Sequence, residues 1–533
     1  MPTKPRTTAL LALAIATALP AFALAQADKP AQKPDAPAQP AQPEQPRRPR
    51  NPNRPNAGAG ANANRLAPDA LYERVAPSLV AVKYTWDFEL RRQELIGAGV
   101  VVSDDGLVAC PLTTFSPIIP DVQMKDFKII LAREGGEPDE VDAEFVGRDE
   151  RVNLAYVRAK KPDEKKADDK KDGDKKDAEK KADEKKPEPR KWVPVKFEDV
   201  PLKVGEPLWS VGVLPAAAGY RAYLQEARVA AKLRGDSPQV LVAGGLAGVG
   251  APVFNARGQA VGMVPVQNGQ LPFINDSQRA IQALSNPPLI FIPSGDFLPE
   301  LTEVPAAGKP LEVPWMGVVQ MAGVTKDVAE AYGLGNDPGV QIGDVIADGP
   351  GAKAGLKQGD IIVRIDGKPL ERGDEPDDLP AILRRLTVRK KVGTVLTLGV
   401  KRKPDEPPVD VKVTLGAMPK QANQARRAYF EDLGFGVREL VFNDRYARRI
   451  PADAGGVLVS VTKPQGAAQT GGLQGNGTPQ SDVIVSLSGQ PVKDLAGFEQ
   501  AYKDLRKAKP KEAVVLVVRR EGKEETVRVE PPQ

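Results

Sequence analysis

The sequence predicts a mainly β protein in which a barrel-like domain of short strands is followed by two α+β units. Three observations lead there. Between residues 66 and 294, short β-rich runs alternate with turn residues, and helical patterns are few. Two later stretches, 360–367 and 481–489, carry the same strand-and-turn pattern ending in glycine. Each is followed by an amphipathic helical pattern and two more β-rich runs, and an internal repeat of this kind marks a duplicated domain.

In the first domain, Val100-Val101-Val102 and Leu107-Val108-Ala109 flank Asp105-Gly106 and read as a hairpin. Further strands are expected at 128–132, 141–146, 207–214, 239–242 and 260–266. In the first repeat, residues 351–359 read as a helical turn with glycine stops, and 360–367 as the strand after it. Residues 378–386 form an amphipathic helix with Leu379, Ile382, Leu383 and Leu386 on one face, and 395–401 and 409–415 close the unit. The second repeat has its turn at 466–473, its strand at 481–489, its helix at 495–505, and closing strands at 514–519 and 525–529. A longer loop, 474–480, separates its turn from its strand.

Composition narrows the function classes. The 533 residues are long enough for three or four domains, and 41% hydrophobic with 27% charged residues supports packed cores. The formal charge of +5 is the small difference between 75 basic and 70 acidic residues. With aromatics at 5% and no concentrated basic motif, no nucleic-acid partner is expected. Cys110 is the one cysteine; it lies in the apolar run Leu107-Val108-Ala109-Cys110 and reads as a small buried hydrophobe. The chain has no histidine. That excludes imidazole general bases and histidine-based metal sites, and no metal or cofactor is expected.

Lys4 and Arg6 precede an apolar stretch over 9–21 and then Ala23-Leu24-Ala25. This order reads as a secretory signal peptide, residues 1–25, cleaved after Ala25, so the mature chain is expected in the periplasm or outside the cell. Residues 26–65, rich in Pro, Ala, Gln and Asn, are expected to be a disordered linker whose Arg47-Arg48-Pro49-Arg50 cluster offers contact with an anionic envelope surface. Residues 160–191 alternate lysine with acids, as in Asp163-Glu164-Lys165-Lys166, and read as a solvated insertion limited by Pro162, Gly173 and Pro187.

The first domain, 66–294, resembles the HtrA family of trypsin-fold serine proteases. The resemblance rests on Val75-Ala76-Pro77-Ser78-Leu79-Val80, on Gly97-Ala98-Gly99 running into Asp105-Gly106, on Gly147-Arg148-Asp149 with Leu154-Ala155, and on Gly248-Val249-Gly250-Ala251-Pro252-Val253-Phe254-Asn255. It implies two β-barrels with an active-site cleft between them, and places the charged insertion in the connection between barrels. It also implies a His–Asp–Ser triad in that chain order. Here those positions fall on Thr113, Asn153 and Val249, so all three are replaced. Without base, carboxylate and nucleophile, most of the catalysis is lost even where backbone donors survive. Ser210 and Ser237 form no recognisable dyad motif. The cleft would then either bind extended peptide or only space the following domains. HtrA relatives are often trimers, so a homo-oligomer is implied.

Beyond a linker at 295–312, the run from Gly351 to Gly367 resembles the signature of bacterial PDZ domains, giving units at 313–418 and 424–531. PDZ domains add an extended peptide to a sheet edge and direct loop N–H groups at its C-terminal carboxylate. The resemblance assigns the loop to Trp315, Met316, Gly317 and Val318 in the first unit and to Leu433, Gly434 and Phe435 in the second. Leu379, Ile382 and Leu383, and in the second unit Phe498 and Tyr502, are groove or core residues. Asp432 stands beside the second carboxylate site and would repel it. The expected function is an exported, catalytically inactive protein that binds extended or C-terminal peptides as scaffold, adaptor or holdase. The alternatives are an endopeptidase with non-standard catalytic residues and a structural envelope protein.

Overall fold

The computed structural model describes residues 65–133, 136–161, 190–234, 237–265, 290–306, 308–371, 378–475 and 480–532. The predicted signal peptide, nearly all of the linker behind it, most of the charged insertion, Val266 and part of the 474–480 loop lie outside the described residues.

A short helix, α1 (Pro68–Val75), leads into β1 (Leu79–Phe88), β2 (Arg91–Val101), β3 (Leu107–Pro111), β4 (Met124–Leu131), β5 (Asp139–Asp149) and β6 (Leu154–Ala159). These close into a barrel in the order β1-β2-β3-β6-β5-β4. A second barrel follows from β7 (Pro207–Val213), β8 (Ala222–Arg234), β9 (Pro238–Gly244), β10 (Pro252–Asn255), β11 (Ala260–Met263) and β12 (Ile290–Pro293), in the order β10-β11-β12-β9-β8-β7. The expected hairpin is present: Val100 and Val101 pair with Ala109 and Val108, and Gly106 takes the left-handed conformation that its turn needs.

The strands are apolar on both faces, and the period of two sorts the faces into separate cores. Val101, Val108, Cys110, Ala155 and Val157 fill the first barrel, while Leu208, Val229, Val242, Val253 and Phe291 fill the second. The residues between them in sequence, Val100, Ala109, Tyr156, Trp209, Val211 and Phe254, point the other way and join the barrels through one shared cluster. Fully burying a large side chain of this kind stabilises by roughly 1.5–3 kcal/mol, so the two barrels act as one body. Cys110 is wholly buried, and burial pushes its thiol pKa upward.

Each α+β unit is built on an antiparallel sheet with three helices among the described residues. In the first, Val318–Gly323, Val340–Val345, Ile361–Ile365, Val395–Lys401 and Val409–Thr414 are neighbours in that order. The helix Asp378–Val388 packs Leu379 and Leu383 into the sheet's core. In the second, Arg427–Phe430, Phe435–Glu439, Val457–Thr462, Val483–Leu487, Val514–Arg520 and Lys523–Val529 are neighbours, covered by the helix Leu495–Ala508. Both sheets have strands ahead of those the sequence pattern identifies: Val318–Gly323 and Val340–Val345 in the first, and Arg427–Phe430, Phe435–Glu439 and Val457–Thr462 in the second.

The segment expected to be linker from residue 295 begins as part of the barrel body. Ser294–Asp296 and Glu300–Thr302 are single 3₁₀ turns, and Phe297 is buried in the shared cluster against Phe197. Asp296 and Glu300 are buried acids. Arg385 and Arg389, from the end of the first unit's helix, reach Asp296 Oδ1 at 3.2 and 3.1 Å, and Arg389 lies 3.7 Å from Glu300. Arg389 also donates to the Asp296 carbonyl. These pairs dock the helix of the first unit on the barrels. Removing one partner of a buried pair leaves uncompensated charge, which costs about 3 kcal/mol or more. Arg389→Ala is therefore expected to loosen the first unit, seen as faster limited proteolysis within residues 304–313 while the barrels stay resistant.

Candidate functional site

The groove between the barrels is a cleft of about 830 Å³ lined by Leu112, Thr113, Asn153, Leu154, Met263, Val264 and Phe297, among others. The fold assembles it from three places. Thr113 follows β3 on the turn Leu112–Phe115, and Asn153 lies just before β6. The N–H of Leu112 donates to the Asn153 carbonyl at 2.8 Å, which ties these two segments together. The loop before β10 comes against them at Gly250, where a Cβ would stand 2.9 Å from Pro111 and where φ is +86°. Only glycine fits such a contact in that conformation.

The side chains brought there lack triad chemistry. Thr113 Oγ1 is buried without a hydrogen-bond partner among the described residues. Asn153 is an exposed amide with φ of +56°. Val249 lies instead with Leu79, Gly99, Val211 and Gly212 around a small apolar gap of about 20 Å³. Two backbone donors of the loop are bonded to side chains. The Ala247 N–H donates to Ser210 Oγ and the Gly248 N–H to Tyr223 Oη, each at 2.7 Å. Ser210 is fully buried on β7, and burial raises the Tyr223 pKa, so that phenol stays neutral.

In the first α+β unit, Pro314–Trp315 pairs with Gly416–Ala417 and so turns away from the sheet. Met316 and Val318 are buried, and Gly317 has φ of +74°. The Met316 carbonyl accepts from the Gly351 N–H (2.7 Å) and the Gly317 carbonyl from the Ile346 N–H (2.9 Å). Val318–Gly323 is the terminal strand of its sheet, paired on one side with Val340–Val345. The pairing skips Gln320, which takes a positive φ, and Gly343, whose Cβ would meet the Gln320 carbonyl at 2.3 Å. Leu379 and Leu383 belong to the core, whereas Ile382 faces the second barrel with Leu386 across a cleft that Pro201, Leu202 and Leu233 also line.

The second unit repeats the loop closely. Gly434 has φ of +69°, the Leu433 carbonyl accepts from the Ala468 N–H (3.0 Å), and the Gly434 carbonyl from the Lys463 N–H (2.8 Å). Leu433, Phe435, Phe498 and Tyr502 are buried together. Tyr502 donates to the Asp432 carboxylate at 2.7 Å and Arg506 pairs with it at 2.7 Å, so Asp432 is tied to the helix. Burial and the bond to Asp432 raise the Tyr502 pKa.

Comparison with known proteins follows the same division. A PDZ domain family matches residues 319–413. A protein named "Probable periplasmic serine endoprotease DegP-like" from Brucella suis biovar 1 (strain 1330) is 25% identical over 433 residues, 79% of this chain and 70% of that one. A protein of the same name from Pseudomonas putida (strain W619) is 27% identical over 450 residues, 81% of this chain and 78% of that one. The chain is an HtrA-like protein, homologous to DegP-like endoproteases. A solved structure, "HtrA-type protease AlgWS227A with tripeptide", aligns with 67% of this chain and 99% of its own at 17% identity and a TM-score of 0.46.

Beyond the leading strands of the two sheets, sequence reasoning missed two features that bear on the sites of this HtrA-like chain. Ser210 and Tyr223 cap the loop amides from strands remote in sequence, and no local signal marks them. The strand Arg427–Phe430 had a signal: alternation in Arg427-Ala428-Tyr429-Phe430, then a four-residue connection containing glycine, reads as a hairpin. Glu439 clamps the open end of that hairpin by accepting from Arg426 Nε (2.7 Å) and Lys420 Nζ. Burial works against the Glu439 carboxylate, but the bonds from Lys420 and Arg426 outweigh it and hold its pKa at about 2. A depressed carboxylate stabilises above its unfolded pKa and loses that contribution as pH falls through the folded value. The Glu439→Gln variant should therefore need less urea than the parent to expose residues 424–531 to protease at pH 7. The gap should shrink between pH 4.5 and pH 2, measured with pepsin at the acid end.

Proposed function

We propose that this HtrA-like protein is an exported, catalytically inactive peptide binder. The observation that carries the reading is chemical: a 533-residue chain without histidine, with Thr113, Asn153 and Val249 where a trypsin-type triad would stand. No imidazole is present to take a hydroxyl proton, and valine offers no nucleophile. The Ala247 and Gly248 amides support the reading, since donors already bonded to Ser210 and Tyr223 are not free for a developing oxyanion.

Peptide capture is assigned to the first PDZ unit. Its terminal strand Val318–Gly323 presents one unpaired side, and the turn at Met316 and Gly317 is shaped by left-handed glycine and two backbone bonds. An extended segment would add there as a further strand, with its carboxylate at the loop. Regular pairing is interrupted at Gln320, which favours short C-terminal segments over long internal ones. The periplasmic names of the homologues and the predicted signal peptide support a periplasmic setting.

The purified full chain is expected to release no fluorophore from casein or peptide substrates above a buffer blank. It should bind labelled decapeptides with hydrophobic free C-termini, and at least tenfold less well once those termini are amidated. Turnover that vanishes on Ser210→Ala or Ser237→Ala would restore the hydrolase reading. Absence of binding to any peptide of the set would remove the binding reading.

A further inference from the structure

The two PDZ units share one loop geometry but treat the neighbouring strand position oppositely. In the first, the residues before the loop pair elsewhere, with Gly416–Ala417, and the strand after it is terminal. In the second, the residues before the loop fold back. Arg427, Ala428, Tyr429 and Phe430 pair antiparallel with Arg438, Val437, Gly436 and Phe435. A PDZ ligand adds antiparallel to this same strand, beside the same helix.

The match extends to side chains and to the loop. Along an extended strand, alternate residues face one side, and here Ala428 and Phe430 are the two packed on the domain core. The Phe430 ring lies 4.3 Å from Tyr502, 5.2 Å from Phe435 and 5.3 Å from Phe498, centre to centre. Phe435 belongs to the loop that the resemblance assigns, and Phe498 and Tyr502 are the residues that the sequence left as groove or core. The Gly434 N–H, the loop donor, is taken by the Phe430 carbonyl at 2.8 Å. In the first unit, the Gly317 N–H donates to no backbone carbonyl among the described residues.

We infer that Arg427–Phe430 is a resident pseudo-ligand that closes the second PDZ groove, and that the groove is built for a small-X-Phe segment ending in a neutral carbonyl. The inference rests on the peptide-binding reading of the first unit only for its contrast. Asp432 explains why an internal strand is favoured here. A free carboxylate would meet that anion, whereas the Phe430 carbonyl carries no charge. A strand tethered through a four-residue connection also acts at an effective concentration near the millimolar range, so a micromolar competitor with equal contacts loses.

The probe is the fluorescein-labelled hexapeptide Ala-Arg-Arg-Ala-Tyr-Phe with an amidated C-terminus, which copies residues 425–430. The first groove, which selects for a carboxylate, should ignore it. Polarisation titrations compare the full wild-type chain with the double variant Ala428→Pro/Phe430→Ala; proline removes a ladder N–H and alanine empties the pocket. The variant should bind the probe at least tenfold more tightly than wild type, with new hydrogen-exchange protection on residues 435–439. A folded variant that gains no binding would overturn the inference.

Should the variant's second unit fail to fold, hydrogen exchange on wild type decides. Amides at 427–430 that stay protected under a hundredfold excess of probe support the resident strand. Amides that lose protection, or that are unprotected from the start, overturn it. A wild-type chain that captures no free-carboxylate peptide on 318–323 would sink the peptide-binding reading and leave the exchange result at 427–430 standing.

Discussion

A sheet edge carries backbone N–H and C=O groups that must find partners, and this chain meets that requirement in three ways. The two barrels close on themselves and have no edge. The first PDZ unit keeps an open edge at Val318–Gly323, and the second covers the matching edge with its own Arg427–Phe430. The loops that begin these two strands share a left-handed glycine, Gly317 at +74° and Gly434 at +69°, and two matching carbonyl bonds. The chief difference is where the preceding residues pair, and with it whether the glycine N–H is already bonded. Duplicated units have thus arrived at opposite states through one local choice of strand partner.

The barrels show the same economy of backbone donors beside the cleft between them. In a hydrolase, loop amides there must stay unbonded until charge develops on the substrate. Here two amides of the loop, Ala247 and Gly248, already donate to side chains of β7 and β8. These bonds tie the loop to two strands of the second barrel. Val249, half-buried, lines a small apolar gap together with residues of both barrels.

Charge fixes the placement of the first PDZ unit. Asp296 and Glu300 are buried just after the last barrel strand, and Arg385 and Arg389 come from the helix that borders the open edge. Any shift of that helix must move cations away from buried carboxylates, so the edge and the barrels are mechanically joined. The second unit leans on the first through the Tyr446 hydroxyl, which donates to Asp344 at 2.6 Å, and through the edge-to-face contact of Trp315 with Phe442.

Much was legible from residue order alone. Short β-rich runs between turns marked the barrel strands, glycine-stopped turns marked the PDZ repeats, and the lack of histidine ruled out a histidine triad without any coordinates. Such features are local or compositional, so they survive reading in one dimension. Others depend on pairing between distant segments. Whether Leu379 and Leu383 are groove or core, whether Phe297 is linker or core, and whether Ser210 and Tyr223 cap a loop all turn on what lies across the space beside them. The strand at Arg427–Phe430 lies between these extremes. Its hairpin pattern is visible in the sequence, but only the packed sheet and helix decide that Phe430 enters the aromatic pocket rather than leaving it open. Sequence alone determined which chemistry this protein lacks and which folds it builds. Tertiary structure decided which edges are open, because an edge is defined by the presence or absence of a neighbour.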